Sequence, residues 1–264
     1  MAQETLDLPG CVLVTGAAGG IGAALIDRLL KAGTKVIATD LAIPSVPSTA
    51  PELAALRNPA CTWIRADLAT TSGRQILLDE LMGEKSQPIG GVVHVAGLLD
   101  PVDWQDINEF EVERLFALNL HAPFFLTRGL LPILAPDASV VLMGSISAMR
   151  ASPKTPFYSA SKAALRNLGA SLAMILQPRG MRVNVVAPGL IDTPLTNAMN
   201  RRLAIERGVA VERVEADRAQ AIPAGRAGTP GEVASACLFF LSSQSSYCTG
   251  TTLHPTGGAW AGSI

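Results

Sequence analysis

The stretch that most constrains the fold is Thr15 to Gly22, TGAAGGIG, between the apolar run Cys11 to Val14 and the amphipathic run Ile21 to Leu30. Apolar residues, a glycine-dense turn, and then Ile21, Leu25, Ile26, Leu29 and Leu30 at helical spacing predict a buried strand, a tight loop and a helix. Gly16, Gly20 and Gly22 carry no β-carbon, so the backbone can turn sharply and a ligand can approach it closely. The helix start just beyond presents free N–H groups and the positive end of the helix dipole, a seat for a pyrophosphate. The glycine spacing is G-x-x-x-G-x-G rather than G-x-G-x-x-G.

Downstream, strand and helix signals alternate through all 264 residues without a composition break, so one domain spanning residues 1–264 is expected. Strands are read at Lys35 to Asp40, Cys61 to Ala66, Gly91 to Val95, Val140 to Met143, Arg182 to Val186 and Thr251 to Leu253. Helices are read at Gln75 to Met82, at Ile107 to Leu120 with a step at Pro123 before continuing to Leu131, at Tyr158 to Leu176 and at Glu232 to Leu241. A further short helix is expected near Arg57, after the Pro-rich loop Ile43 to Pro51, and a loosely helical segment over Thr193 to Ala224. This alternation predicts an α/β fold: a doubly wound, Rossmann-type parallel sheet of about seven strands with helices on both faces. Charged residues at only 16% and aromatics at 5% suit a sheet buried on both sides.

A formal net charge of −1 provides no electrostatic footprint for nucleic acid or an anionic membrane. Leu8 to Ile26 is uncharged, but its glycines and the preceding Glu4 and Asp7 argue against both a membrane span and a signal peptide. Cys11, Cys61, Cys237 and Cys248 lack C-x-x-C spacing, which suits free thiols in a reducing compartment, and a cytoplasmic location is expected. No His, Cys and Asp spacing supports a metal site.

In an open parallel sheet the ligand crevice lies at the carboxyl ends of the strands. Asp40 ends the second strand, placed to accept hydrogen bonds from an adenosine ribose and to repel a 2′-phosphate; no Arg or Lys stands in Gly16 to Gly22 or Thr39 to Ile43 to neutralise it. Asp67 ends the third strand, placed to meet the adenine amino group. Tyr158 and Lys162 stand at i and i+4 and share a helix face, so the ammonium is expected to lower the pKa of the phenol toward neutrality. Ser145 closes the fifth strand and can hydrogen-bond the same substrate oxygen, while Asn119 can hold a water or a backbone kink near Lys162. Arg150 and Lys154 precede Tyr158 and could meet an anionic substrate, but solvated loop charge is the preferred reading, because exposed Lys and Arg are common. In the 194–223 segment Leu195, Ala198, Met199 and Leu203 share a helical face, which predicts a mobile lid closing apolar side inward.

These residues together resemble a single-domain, classical short-chain dehydrogenase/reductase (SDR) over essentially the whole chain. The resemblance is carried by TGAAGGIG, Asp40, Asp67, Ala96–Gly97, Asn119, Ser145, YSASK at Tyr158 to Lys162, Asn184, PGLIDT at Pro188 to Thr193 and GRAGTPGEVA at Gly225 to Ala234. It implies a tetrad of Asn119, Ser145, Tyr158 and Lys162, with Tyr158 as acid/base, Ser145 orienting the substrate oxygen and Lys162 on the nicotinamide ribose. Contacts to NAD (NADH) are implied for Gly16, Gly20, Ile21, Gly22, Asp40, Asp67, Leu68, Ala96, Gly97, Tyr158, Lys162, Pro188, Gly189, Ile191 and Thr193. Ser147, Leu190, Leu195 and Met199 are the expected substrate-pocket walls. The activity implied is NAD-dependent oxidation of a secondary alcohol or reduction of a ketone, in a homotetramer or a dimer. A 3-oxoacyl thioester reductase and a catalytically silent NAD-binding protein are the alternatives. The chain departs from the family's N-N-A-G with His94, Val95, Ala96 and Gly97, where His94 is read as a packed structural residue and Val95 cannot make the polar contacts of Asn.

Overall fold

The computed structural model describes residues 6–43, 58–83, 88–100 and 102–260. Its strands are β1 (Cys11–Thr15), β2 (Lys35–Asp40), β3 (Cys61–Arg65), β4 (Ile89–His94), β5 (Leu134–Met143), β6 (Arg182–Val186) and β7 (Thr252–Leu253). Among the described residues they form one seven-stranded sheet in the order β3-β2-β1-β4-β5-β6-β7, every pairing parallel. The helices are α1 (Gly20–Lys31), α2 (Thr71–Gly83), α3 (Glu109–Phe116), α4 (Ala122–Leu130), α5 (Pro156–Leu176), α6 (Pro194–Arg207), α7 (Val211–Gln220) and α8 (Pro230–Leu241). The chain leaves β1 toward one edge, returns to β4 beside β1 and proceeds to the other edge. The crevice of this Rossmann-type sheet therefore opens beyond β1 and β4.

Period-two alternation divides the strands between two cores. Leu13 of β1 and Val92 of β4 pack with Leu77, Leu126 and Leu165 on one face, whereas Val12, Val14 and Val93 pack with Leu25, Ile26, Val233 and Phe240 on the other.

The differences from the sequence reading have local causes. β5 starts at Leu134 because Leu134 pairs with Ile89; the register then shifts to Gly91–Ser139, so the Pro136–Asp137 step is absorbed as an irregularity within the strand. α2 begins before Gln75 because the Thr70 hydroxyl accepts the Gly73 N–H at 2.9 Å, a cap that hydrophobic spacing does not reveal. The long helix expected from Ile107 is split by a π-helical turn at Ala117–His121, with Pro123 in the first turn of α4. The short helix expected near Arg57 lies outside the described residues.

No described helix is long and apolar enough to cross a membrane. All four cysteines are free; burial pushes the Cys61 thiol up to about 11 and Cys237 to about 12, which keeps both protonated and unreactive.

Candidate active site

Two adjoining cavities lie at the carboxyl edge of the sheet. The first, about 300 Å³, runs from Asp40 and Asp67 past Gly16, Gly20 and Gly97 to Thr193. Gly16 has φ +64°, and a β-carbon there would stand 2.6 Å from the backbone of Ala96, so the β1 and β4 loops can meet only because it is glycine. Gly19, the N-cap of α1, contributes no capping side chain, leaving first-turn N–H groups to an incoming anion. Gly22 does not line this cavity: it packs against the Gly16 carbonyl oxygen, where a side chain has no room, so its part is to seat helix on loop.

Ile21, Leu68 and Ala96 line the first cavity, whereas Pro188, Gly189 and Ile191 do not. Pro188 instead accepts the Ile146 N–H at 2.9 Å, Gly189 borders the second cavity, and Ile191 is buried beside Gly228 with its side chain in the core. Asp40 is held by two backbone donors, Ala18 at 2.9 Å and Leu41 at 2.7 Å. Asp67 accepts the Ala69 N–H at 3.1 Å and pairs with Arg114 at 3.2 Å. Asp40 also has a basic neighbour that local sequence did not reveal: Arg65, its register partner on β3, donates to the Leu41 carbonyl at 3.0 Å.

The second cavity, about 390 Å³, is bordered by Ser145 and Tyr158 together with Ser147, Leu190, Leu195 and Met199, the four expected pocket walls. Leu195 lines both cavities. Ser145 accepts the Ser147 N–H at 3.1 Å, which fixes its rotamer, and stands with Tyr158 on the cavity wall. Behind them, Lys162 is buried, with Nζ 5.6 Å from the Tyr158 ring centroid and donating to the Met143 carbonyl at 2.8 Å. Asn119 occupies the π-helical turn, clamps both polar groups of the Leu98 backbone at 2.8 and 2.9 Å and donates to Ser161 at 3.0 Å. Its side chain therefore braces the loop after β4 against α5.

One expectation reverses. The Tyr158 phenol lies above its ordinary pKa, chiefly because burial disfavours the phenolate; the polar Ser145 side chain opposes this and the Asp100 charge adds to it. Tyr158 as a whole is only half-buried, so the desolvation falls on its polar end. Lys162 does not outweigh it, being itself desolvated to a pKa of about 8.

Asp100, absent from the sequence reading, is buried and accepts the backbone N–H groups of Tyr158 at 2.7 Å and Phe157 at 3.2 Å. His94 is buried, hydrogen-bonds Thr127 at 3.0 Å, and is pulled down to a pKa of about 3 by desolvation, a neutral structural residue as read. Val95 needs no side-chain polarity, because the loop is held by the Ala96 N–H on the Thr15 hydroxyl at 3.2 Å.

The segment proposed to cover the site consists of α6 and α7. Leu203 and Ala204 pack on Val214, so much of the expected inward apolar face joins the two helices to each other, while Leu195 and Met199 face the cavity. Arg202 ties α6 to the Asp100 carbonyl at 2.9 Å and the Lys154 carbonyl at 3.2 Å.

A protein-family model described as enoyl-(acyl carrier protein) reductase matches residues 16–259. An uncharacterized oxidoreductase of Schizosaccharomyces pombe is 33% identical over 255 residues, covering 95% of this chain and 91% of that protein. Galactitol 2-dehydrogenase of Agrobacterium fabrum is 28% identical over 254 residues, covering 94% and 96%. A solved short-chain dehydrogenase family protein from Francisella tularensis superposes with a TM-score of 0.86 at 28% identity, covering 96% of this chain and 99% of that one. Glycine turn, crevice and serine–tyrosine pair thus come with matches along almost the whole chain: it belongs to the short-chain dehydrogenase/reductase family of oxidoreductases.

Proposed function

We propose that the protein is an NAD(H)-dependent dehydrogenase that interconverts a secondary alcohol and a ketone, with Tyr158 as acid/base. The observation that carries this reading is Ser145 and Tyr158 together on the wall of a cavity that shares Leu195 with the glycine-turn groove. The groove fits a dinucleotide: uncapped N–H groups at the start of α1 suit the pyrophosphate, and the fixed Asp40 carboxylate suits a ribose diol. When bound, the nicotinamide supplies the hydride exchange with the carbinol carbon.

This chain's residues do the rest. Tyr158 takes the hydroxyl proton during oxidation and returns it during reduction. Ser145, its rotamer fixed by Ser147, holds the same substrate oxygen. Lys162 carries its positive charge behind the tyrosine and would hold the nicotinamide ribose, and Asn119 braces the loop that bears Gly97. We further propose one domain with residues 194–223 as lid, a cytoplasmic homotetramer, and no nucleic-acid or membrane partner. Similarity to the 3-oxoacyl-[acyl-carrier-protein] reductase FabG of Thermotoga maritima, 31% identical over 249 residues, favours a 3-oxoacyl thioester reductase as the second reading. Against it, the glycine turn carries Ala17 and Ala18 where a basic residue for a phosphorylated cofactor would be expected.

The test is cofactor reduction followed with a panel of secondary alcohols, galactitol and 3-hydroxyacyl-CoA. Turnover of an alcohol that falls by about a hundredfold in Tyr158→Phe with dinucleotide binding retained supports the proposal. Turnover of the thioester alone supports the second reading, and near-normal turnover in the variant removes Tyr158 from its role.

A further inference from the structure

The second cavity is lined by two arginines, Arg150 and Arg218, and by no carboxylate residue. Arg150 follows the turn Ile146–Met149 that begins at Ser145, whereas Arg218 comes from α7. Arg218 is half-buried and donates to the neutral Asn200 side-chain oxygen. Its pKa is pulled down first by burial and then by the positive charge of Arg207, and no acid opposes that shift. Its neighbour Asp217 is engaged elsewhere, by Arg213 at 3.0 Å and Arg207 at 3.8 Å. Arg150 has no carboxylate partner among the described residues, while Lys154, the third cation nearby, is paired with Glu206 at 2.8 Å and Asp103 at 3.7 Å. The protein therefore neutralises the loop lysine and leaves the two cavity arginines without a carboxylate partner among the described residues. Desolvating one of them beside another like charge is unfavourable unless a ligand supplies the missing negative charge.

We propose that the substrate carries an oxyanion, a carboxylate or a phosphate monoester, seated by Arg150 and Arg218, with its carbinol carbon at Ser145 and Tyr158. The inference rests on the dehydrogenase reading and names its substrate class. A guanidinium offers planar, two-pronged donation to either oxyanion. Leu190, Met199 and Ile222 on the same walls suit a short aliphatic chain between the anion and the reacting carbon.

Two measurements test this. In the first, NADH-loaded protein is titrated calorimetrically with malonate and with inorganic phosphate. At least one should bind, and Arg150→Met and Arg218→Met should each weaken it by about tenfold, with Arg218→Lys intermediate. Which anion binds distinguishes carboxylate from phosphate. In the second, kcat/KM is compared for 3-hydroxybutyrate against 3-hydroxybutyramide and for glycerol 3-phosphate against glycerol. One charged member should exceed its neutral partner by about tenfold or more, and that ratio should fall in both variants. Absence of binding by either anion, or binding and selectivity unchanged in the variants, overturns the inference even if neutral alcohols are oxidised. The exposed Arg150→Met decides the matter if Arg218→Met does not fold. If none of these four compounds is turned over, the titration alone decides the anion site, and the alcohol panel with Tyr158→Phe decides the dehydrogenase reading separately.

Discussion

The carboxylate of Asp100 accepts the backbone N–H of Tyr158 at 2.7 Å. With its second bond to Phe157 it caps the helix that carries the tyrosine, whose own N-cap residue, Thr155, makes no capping bond. The loop after β4, through its buried Asp100, therefore fixes the height of the phenol, and Arg202 of α6 holds that loop from the other side.

Asp100→Ala should cost about 1–2 kcal/mol of stability, the usual penalty for a lost cap. It should also lower kcat more than it raises KM for the dinucleotide, since Asp100 positions Tyr158 and lies outside the glycine-turn groove. Asp100→Asn supplies the readout that a merely structural role would not move. The Asp100 charge raises the phenol pKa, so removing it should shift the rising limb of the pH–rate profile for alcohol oxidation to lower pH. An unshifted limb would remove the electrostatic part of this role.

His94 predicts an acid sensitivity. Its folded pKa is about 3 and its unfolded value about 6.5, so the unfolded chain binds the extra proton in between. This contribution is fully present above pH 6.5 and is lost as the pH falls toward 3, about 2 kcal/mol having gone by pH 5. His94→Asn should flatten that part of the curve, as measured by urea unfolding at pH 7 and pH 5. Equal slopes in the two proteins would show that His94 is not the group that titrates.

Asp40 and Arg65 together set the expected cofactor preference. The fixed carboxylate would lie close to a 2′-phosphate, and like charges at about 4 Å repel by roughly 4 kcal/mol before relaxation and screening. Arg65, held at the Leu41 carbonyl, offsets part of this, so NAD should be preferred over NADP by about 30-fold rather than the 150-fold that Asp40 alone would allow. Asp40→Ala should narrow the ratio and Arg65→Ala should widen it, read as kcat/KM for the two dinucleotides. An Arg65→Ala ratio that stays put would mean its charge does not reach the ribose.

What could be read from sequence is what lies close along the chain. The strand, glycine turn and helix around Gly16, and the i, i+4 pair Tyr158 and Lys162, are local patterns with a period, and all appear where the spacing put them. What escaped depends on contacts between distant residues. Asp100 is 58 positions from Tyr158, and Arg65 reaches Leu41 only because β2 and β3 pair in register. An isolated Asp or Arg has no period to mark it. The sign of the Tyr158 shift escaped for a related reason: helical spacing reveals that a lysine is near, but not that burial outweighs its charge.

Leu195, the wall common to both cavities, links two properties that would otherwise vary freely. A change there made to reshape the second cavity also reshapes the first, so drift in one specificity is inherited by the other. Diversification that leaves the first cavity untouched has to run through walls that only the second owns, such as Ala221 and Ile222. Those positions follow α7, where a substitution disturbs neither the glycine turn nor the helix bearing Tyr158.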